Sequence, residues 1–182
     1  MTSRELSEMR AQVRRLEDRD EIRALVGRYG RAIDDRDWEC LADQYTPDAF
    51  IDFTAGRAKG TEAIIDHVRS RTDAYGATYH YPHSHEVTIT GDDTATGLVC
   101  AHAELTIDGD SVRVALRYHD DYRRVDGRWR FQERRMRVLY VLKLSEMATG
   151  FADRLRVRWP GTEPAEAQIG ADVVSGRTPD PR

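Results

Sequence analysis

Through about residue 75 the apolar positions fall three and four apart, and from residue 76 to 143 they alternate, so helices are expected first and strands afterwards. Leu6, Met9, Val13 and Leu16 make a narrow stripe on a strongly charged segment, the spacing of a short coiled-coil seam. Two heptads do not sustain an isolated coiled coil. The stripe is therefore expected to pack on a partner subunit or back on its own domain. Asp20 is expected to break or cap this helix before the next begins at Glu21. In that next helix Ile22, Leu25, Val26, Tyr29 and Ile33 form a broader apolar stripe. Gly27, Gly30 and Asp34 share a thinner one; each glycine costs roughly 1 kcal/mol against alanine, which predicts a close neighbour on that face or a need for room beside Asp34. Trp38, Leu41, Ala42 and Tyr45 predict a short helix ended by Thr46-Pro47. Residues 49–53 read as a strand with a turn at Gly56, and Thr61 is a candidate N-cap for a helix carrying Ile64, Ile65 and Val68.

The alternating part divides into four strands, 79–89, 94–107, 112–125 and 129–143, punctuated by Gly91-Asp92-Asp93, Asp108-Gly109-Asp110 and Asp126-Gly127. Pro82 lies near the start of the first, a position compatible with a sheet edge or a bulge. Helices followed by hairpin-linked strands predict an α+β fold, a curved antiparallel sheet with helices on one face. The expected organisation is an N-terminal helix (1–20), a core domain (21–143) and a C-terminal extension (144–182). The extension would hold a short helix over 144–155 and, from Pro160, a mobile or partner-wrapping tail.

Composition narrows the function classes. The formal net charge of −4 gives no electrostatic case for nucleic acid or an anionic membrane. The local cluster Arg134, Arg135 and Arg137 reads as a charged strand face. Cys40 and Cys100 lack a zinc-site spacing and read as cytosolic thiols. The first eight residues lack the apolar core of a secretory leader and no run of about 18 apolar residues occurs, so a cytoplasmic protein is expected. Nothing resembles the βαβ alternation of a nucleotide-binding fold.

The candidate chemistry lies in two places. Tyr29 and Asp34 stand five residues apart near a helix end, about 140° apart around the axis, so they flank a common cavity only if it lies over that end. Asp35 points further from the apolar stripe. His80, His83 and His85 fall within six residues. On a regular strand His83 and His85 share a face and His80 takes the other, unless Pro82 interrupts the alternation. A histidine pair two apart is also a metal-ligand spacing, but no further ligand with diagnostic spacing accompanies it. His102 shares parity with Leu98, Cys100 and Glu104, whereas Val99, Ala101, Ala103 and Leu105 make the more apolar face; His102 is therefore expected to point outward. Tyr118 and Asp120 share parity on the following strand, with Asp120 also a candidate structural partner for the Arg-rich last strand. A core tyrosine, a solvated carboxylate and a histidine cluster without chemistry are the ordinary alternatives.

The Tyr29…Asp34 helix, the string His80-Tyr81-Pro82-His83-Ser84-His85, the turn Asp92–Gly97 and the run Tyr118–Trp129 resemble the SnoaL-like branch of the nuclear-transport-factor-two-like superfamily, over roughly residues 10–143. Within it the match is to cofactor-free lyases of the bile-acid 7α-dehydratase and scytalone dehydratase types. The resemblance implies a cone-shaped α+β barrel with helices on the concave face of the sheet. It also implies a catalytic set of Tyr29, Asp34 and His80. A further aspartate of the bile-acid enzyme falls on Ala103 here. In this reading His80 is a general base, Asp34 supports its imidazolium, and Tyr29 donates a hydrogen bond to substrate oxygen. His83, His102 and Tyr118 are secondary candidates. The implied activity is dehydration or isomerisation of a hydrophobic, oxygenated small molecule, polyketide- or steroid-like, with no metal and no cofactor. A cyclase and a non-catalytic ligand-binding or assembly subunit remain alternatives. A homodimer or homotrimer is expected, with no nucleic-acid or membrane partner.

Overall fold

The computed structural model describes residues 2–169. Helix α1 (Ser3–Asp34) is followed by α2 (Trp38–Asp43), β1 (Tyr45–Phe53), β2 (Gly56–Lys59) and α3 (Thr61–Thr72). Four long strands come next: β3 (Tyr75–Ile89), β4 (Thr94–Ile107), β5 (Asp110–Val125) and β6 (Arg128–Lys143). A 3₁₀ turn (Leu144–Glu146) and a short helix α4 (Met147–Gly150) close the sequence of elements. The strands form one curved, unclosed sheet in the order β2-β1-β6-β5-β4-β3. The α+β expectation holds, with one difference: the sheet is not wholly antiparallel, because β1 runs parallel to β6. β2 and α3 separate β1 from β3, and β1 lies beside β6 by a crossover rather than a hairpin.

Asp20 does not break the first helix. Thr2 and Glu5 cap its start reciprocally, and the chain then runs helical to Asp34. The acid that matters is Asp18, which is buried. It accepts a hydrogen bond from Trp129 Nε1 at 3.1 Å and pairs with Arg124. Glu21 takes the Trp129 backbone N–H at 2.9 Å. These contacts pin the middle of α1 to the start of β6, and from Ile22 onward the apolar stripe is buried. The earlier stripe is not: Met9, Val13 and Leu16 stay exposed, so it does not pack back on its own domain. The expected third helix ends at Asp43, and Tyr45 to Pro47 already belong to β1, where the Tyr45 ring is buried in the core. Thr61 is not the N-cap of α3. Gly60 holds that position, and the Thr61 hydroxyl donates to the Thr46 carbonyl at 3.1 Å.

Two local irregularities turn side chains over. In β3 the pairing with β4 slips between Pro82 and Ser84, so His83 is the extra residue of a bulge on an edge strand. In β6 the pairing with β5 slips between Phe131 and Glu133. Arg134 therefore faces inward and is fully buried, while Arg135 and Arg137 stay partly exposed and pair with Asp121 and Asp52. The reading of all three arginines as one outward charged face fails at Arg134 for this reason.

After α4 the chain returns to the sheet. Val157 bridges Val141 of β6 and Ala165, and Gln168 exchanges hydrogen bonds with Val138 at 2.8 and 2.9 Å. β1 pairs β6 only as far as Arg135, and this returning segment takes the stretch of edge that β1 leaves free. Of the expected mobile tail, residues 160–169 are thus partly docked, and 170–182 lie outside the described residues. No helix among the described residues is long and apolar enough to cross a membrane.

Candidate active site

A cavity of about 660 Å³ lies between the helices and the sheet. Tyr29 and Ile33 of α1 and Val68 of α3 meet Leu105, Leu116 and Tyr118 of the sheet around it, and Trp159 of the returning segment adds a wall. Its lining is mainly apolar, with His80 among its polar groups and tied to the end of α1 through Asp34.

The end of α1 and β3 are held together closely. Gly30 faces His80: a methyl group there would lie 3.1 Å from His80 Cβ and 3.5 Å from its carbonyl oxygen. This is the close neighbour that the glycine stripe predicts. One turn on, Asp34 takes both polar groups of the same residue. Its Oδ2 accepts the His80 backbone N–H at 2.9 Å, and its Oδ1 lies 2.6 Å from His80 Nδ1. A carboxylate is an acceptor, so Nδ1 carries the proton and the Nε2 lone pair is left free. The side chains are 19% and 17% exposed, reachable yet largely shielded from water. Asp34 sits behind the histidine, outside the cavity lining, as an orienting group would.

Arg36 fixes this corner. It adopts φ +59°, and its guanidinium donates to the Ile33 carbonyl, to Thr78 Oγ1 and to the Gly76 carbonyl, at 2.8 to 3.0 Å. It satisfies a helix-end carbonyl and ties it to β3 beside His80. A basic residue just beyond a helix end was the available signal.

Tyr29 is buried, with its ring edge-on to Tyr45, Tyr118 and Phe131. The Arg134 guanidinium lies 4.2 Å from the Tyr29 ring centre, 4.0 Å from Tyr118 and 4.1 Å from Phe131. It is held by Asp120 through two hydrogen bonds of 2.8 Å. Burial pushes the Tyr29 phenol above its ordinary value, with Arg134 opposing in part, and pushes Tyr118 further up. Both stay protonated and can only donate or share a proton, not act as bases near neutrality. Asp120 is thus the structural partner of the last strand, and Tyr118 belongs to both the cavity wall and the arginine cage.

Because of the bulge, His85 turns toward the core together with His80, and His83 turns to the open face. Tyr122 Oη donates to Asp120 Oδ2 at 2.8 Å and lies 3.0 Å from His85 Nε2. The hydroxyl has one proton, so His85 Nε2 donates to it. Burial lowers the His85 pKa to about 4. It is a neutral member of the Asp120–Arg134 network and does not line the cavity. His83 and His102 stack on the open face with ring centres 4.6 Å apart, and neither reaches the cavity. His102 thus points outward as its strand parity predicts, and both secondary histidines stand apart from Tyr29, Asp34 and His80. Among the described residues no group of three or more His, Cys, Asp or Glu is placed to hold a metal.

Helices covering one face of a curved sheet around such a cavity define the nuclear-transport-factor-two-like class. The SnoaL-like domain model matches residues 14–135, and the chain belongs to that family. An uncharacterised protein of Mycobacterium tuberculosis strain H37Rv is 30% identical over 130 residues, 67% of this chain and 86% of the relative. The hexachlorocyclohexane dehydrochlorinase LinA-type3 of Novosphingobium barchaimii has a similar structure, with TM-score 0.69 and 25% identity over 74% of this chain and 94% of that one. An NTF2-like protein with a cystatin-like fold from Novosphingobium aromaticivorans is 29% identical over 74% and 90% of the two chains, with TM-score 0.61.

Proposed function

We propose that the protein is a cofactor-independent lyase or isomerase that abstracts a carbon-bound proton from a hydrophobic, oxygenated small molecule, with dehydration as the leading reaction. The observation that carries this reading is the Asp34–His80 pair, oriented through two hydrogen bonds at the wall of an apolar cavity. His80 Nε2 takes a proton from a carbon next to a carbonyl, and the electron pair moves into an enolate. The Asp34 charge stabilises the imidazolium. Tyr29, kept protonated by burial, donates to the developing oxyanion. In dehydration the enolate collapses, the C–O bond at the β carbon breaks, and the departing hydroxide takes the proton from His80 as water. In isomerisation the proton returns to another carbon. The dehydrochlorinase named among the similar structures supports elimination chemistry in this architecture.

The test is to incubate the protein with a panel of β-hydroxy cyclic ketones and follow loss of water by mass spectrometry. Turnover should occur without added cofactor and survive chelation. Asp34→Asn should lower it at least about 10²-fold, and His80→Ala by about 10²–10⁴-fold. Full turnover in a folded His80→Ala protein would remove the base assignment.

A further inference from the structure

The described lining of the cavity includes one arginine. Arg71, in the last turn of α3, contributes to its mouth. Its guanidinium makes a single hydrogen bond, 3.0 Å to the Ala55 carbonyl, and no carboxylate pairs with it among the described residues. Other arginines of the domain are committed: Arg36 to backbone carbonyls, Arg134 to Asp120, Arg137 to Asp52, and Arg69 lies over the Trp38 ring. One turn earlier on the same face of α3, His67 also lines the cavity, and its buried Nε2 has no partner. Burial first, and the Arg71 charge second, lower the His67 pKa, so it is neutral near pH 7 and free to donate one hydrogen bond. The helix C-terminus itself favours a cation at Arg71.

We infer that Arg71 and His67 form an anion-recognising end of the cavity, so that the substrate is an apolar body carrying one carboxylate-like group that docks beside α3 while its acidic C–H meets His80. Asp108 and Glu163 line the same mouth and are exposed. Their charge disfavours a polyanion and selects a ligand whose single negative group reaches Arg71 directly. This inference deepens the reading of the cavity as a substrate site, and it is testable without turnover.

N-phenyl-1-naphthylamine serves as a fluorescent reporter of cavity binding, displaced by 2-naphthoate or by the matched neutral alcohol 2-naphthalenemethanol. Arg71→Gln keeps a donor for Ala55 and should weaken displacement by naphthoate about three- to tenfold while leaving the alcohol unchanged. Raising ionic strength should weaken naphthoate in the wild type and not in the variant. His67→Phe should weaken naphthoate by a smaller factor. Equal effects of Arg71→Gln on both competitors, no effect on either, or no displacement by naphthoate would overturn the inference. His102→Ala, on the open face, should leave both competitors unchanged; because displacement is read without turnover, failure of the catalytic reading and failure of this one are separately visible.

Discussion

Gly27 and Gly30 lie one turn apart in the same helix, and replacing each by alanine separates backbone propensity from the approach of β3. Alanine gains roughly 0.5–1 kcal/mol over glycine in a helix interior. At Gly27 the new methyl meets only the flexible end of Arg31, at 3.5 Å. Gly27→Ala should therefore stabilise the protein by about that amount. At Gly30 the methyl would stand 3.1 Å from His80 Cβ, where ordinary contact begins at 3.4 Å, so the strand must withdraw by about 3.4 − 3.1 = 0.3 Å. It is not free to do so, because Asp34 grips His80 by ring and backbone and Arg36 grips Thr78. The propensity gain should be cancelled, leaving Gly30→Ala about 1 kcal/mol or more below Gly27→Ala. Shifting the base by a few tenths of an ångström should also lower turnover about three- to tenfold, given that a 1 Å misplacement costs on the order of 10². Urea midpoints of the two variants give the first quantity and turnover the second. Equal stabilisation by both substitutions, with turnover unchanged, would refute the claim that Gly30 exists to admit His80.

Other consequences follow from the buried network and the open face. Asp120→Asn removes the charge facing the fully buried Arg134 and should cost about 3–5 kcal/mol, read from chemical denaturation; replacing the pair together, Asp120→Leu with Arg134→Met, should recover most of it. His85 titrates near 4 when folded against 6.5 in the ordinary case, so the unfolded chain takes up its proton first. Stability should be full above about pH 6.5 and fall as pH drops toward 4, by about 1–2 kcal/mol after allowing for partial exposure. His85→Phe should flatten that slope in a pH series of denaturation curves, and an unchanged slope would remove His85 as its cause. His83→Ala and His102→Ala should keep turnover within about twofold, since both rings lie on the open face; a large loss would place the chemistry there.

Periodicity disclosed most of the elements here because the core is one layer deep on each side: an apolar stripe on α1 and alternating faces on β4 and β5 suffice to say what packs. The glycine at position 30 even signalled the contact with β3. What stayed hidden were features set by register. The bulge at His83 decides which histidines share a face, and Pro82 marks only that an irregularity is near. The slip at Gln132 buries Arg134 among its charged neighbours, which a strictly alternating strand would not do. The parallel placement of β1 depends on a crossover whose direction no local pattern carries. Asp18 looked like one more charge on a polar helix, and its burial depends on Arg124 and Trp129, more than a hundred residues away. The anion end of the cavity was hidden too, because an unpaired arginine is recognisable only once every partner's position is known.

The proposed removal of a carbon-bound proton by His80 Nε2, with Asp34 holding the ring, is open to direct measurement. It is tested most directly by solvent-deuterium exchange: cyclic ketones from the panel are incubated with protein in D₂O, and label at the carbon next to the carbonyl is read by NMR. Exchange is expected in the wild type, with a fall of about 10²-fold or more in folded Asp34→Asn and exchange at the uncatalysed rate in folded His80→Ala. Wild-type exchange persisting in His80→Ala would contradict it.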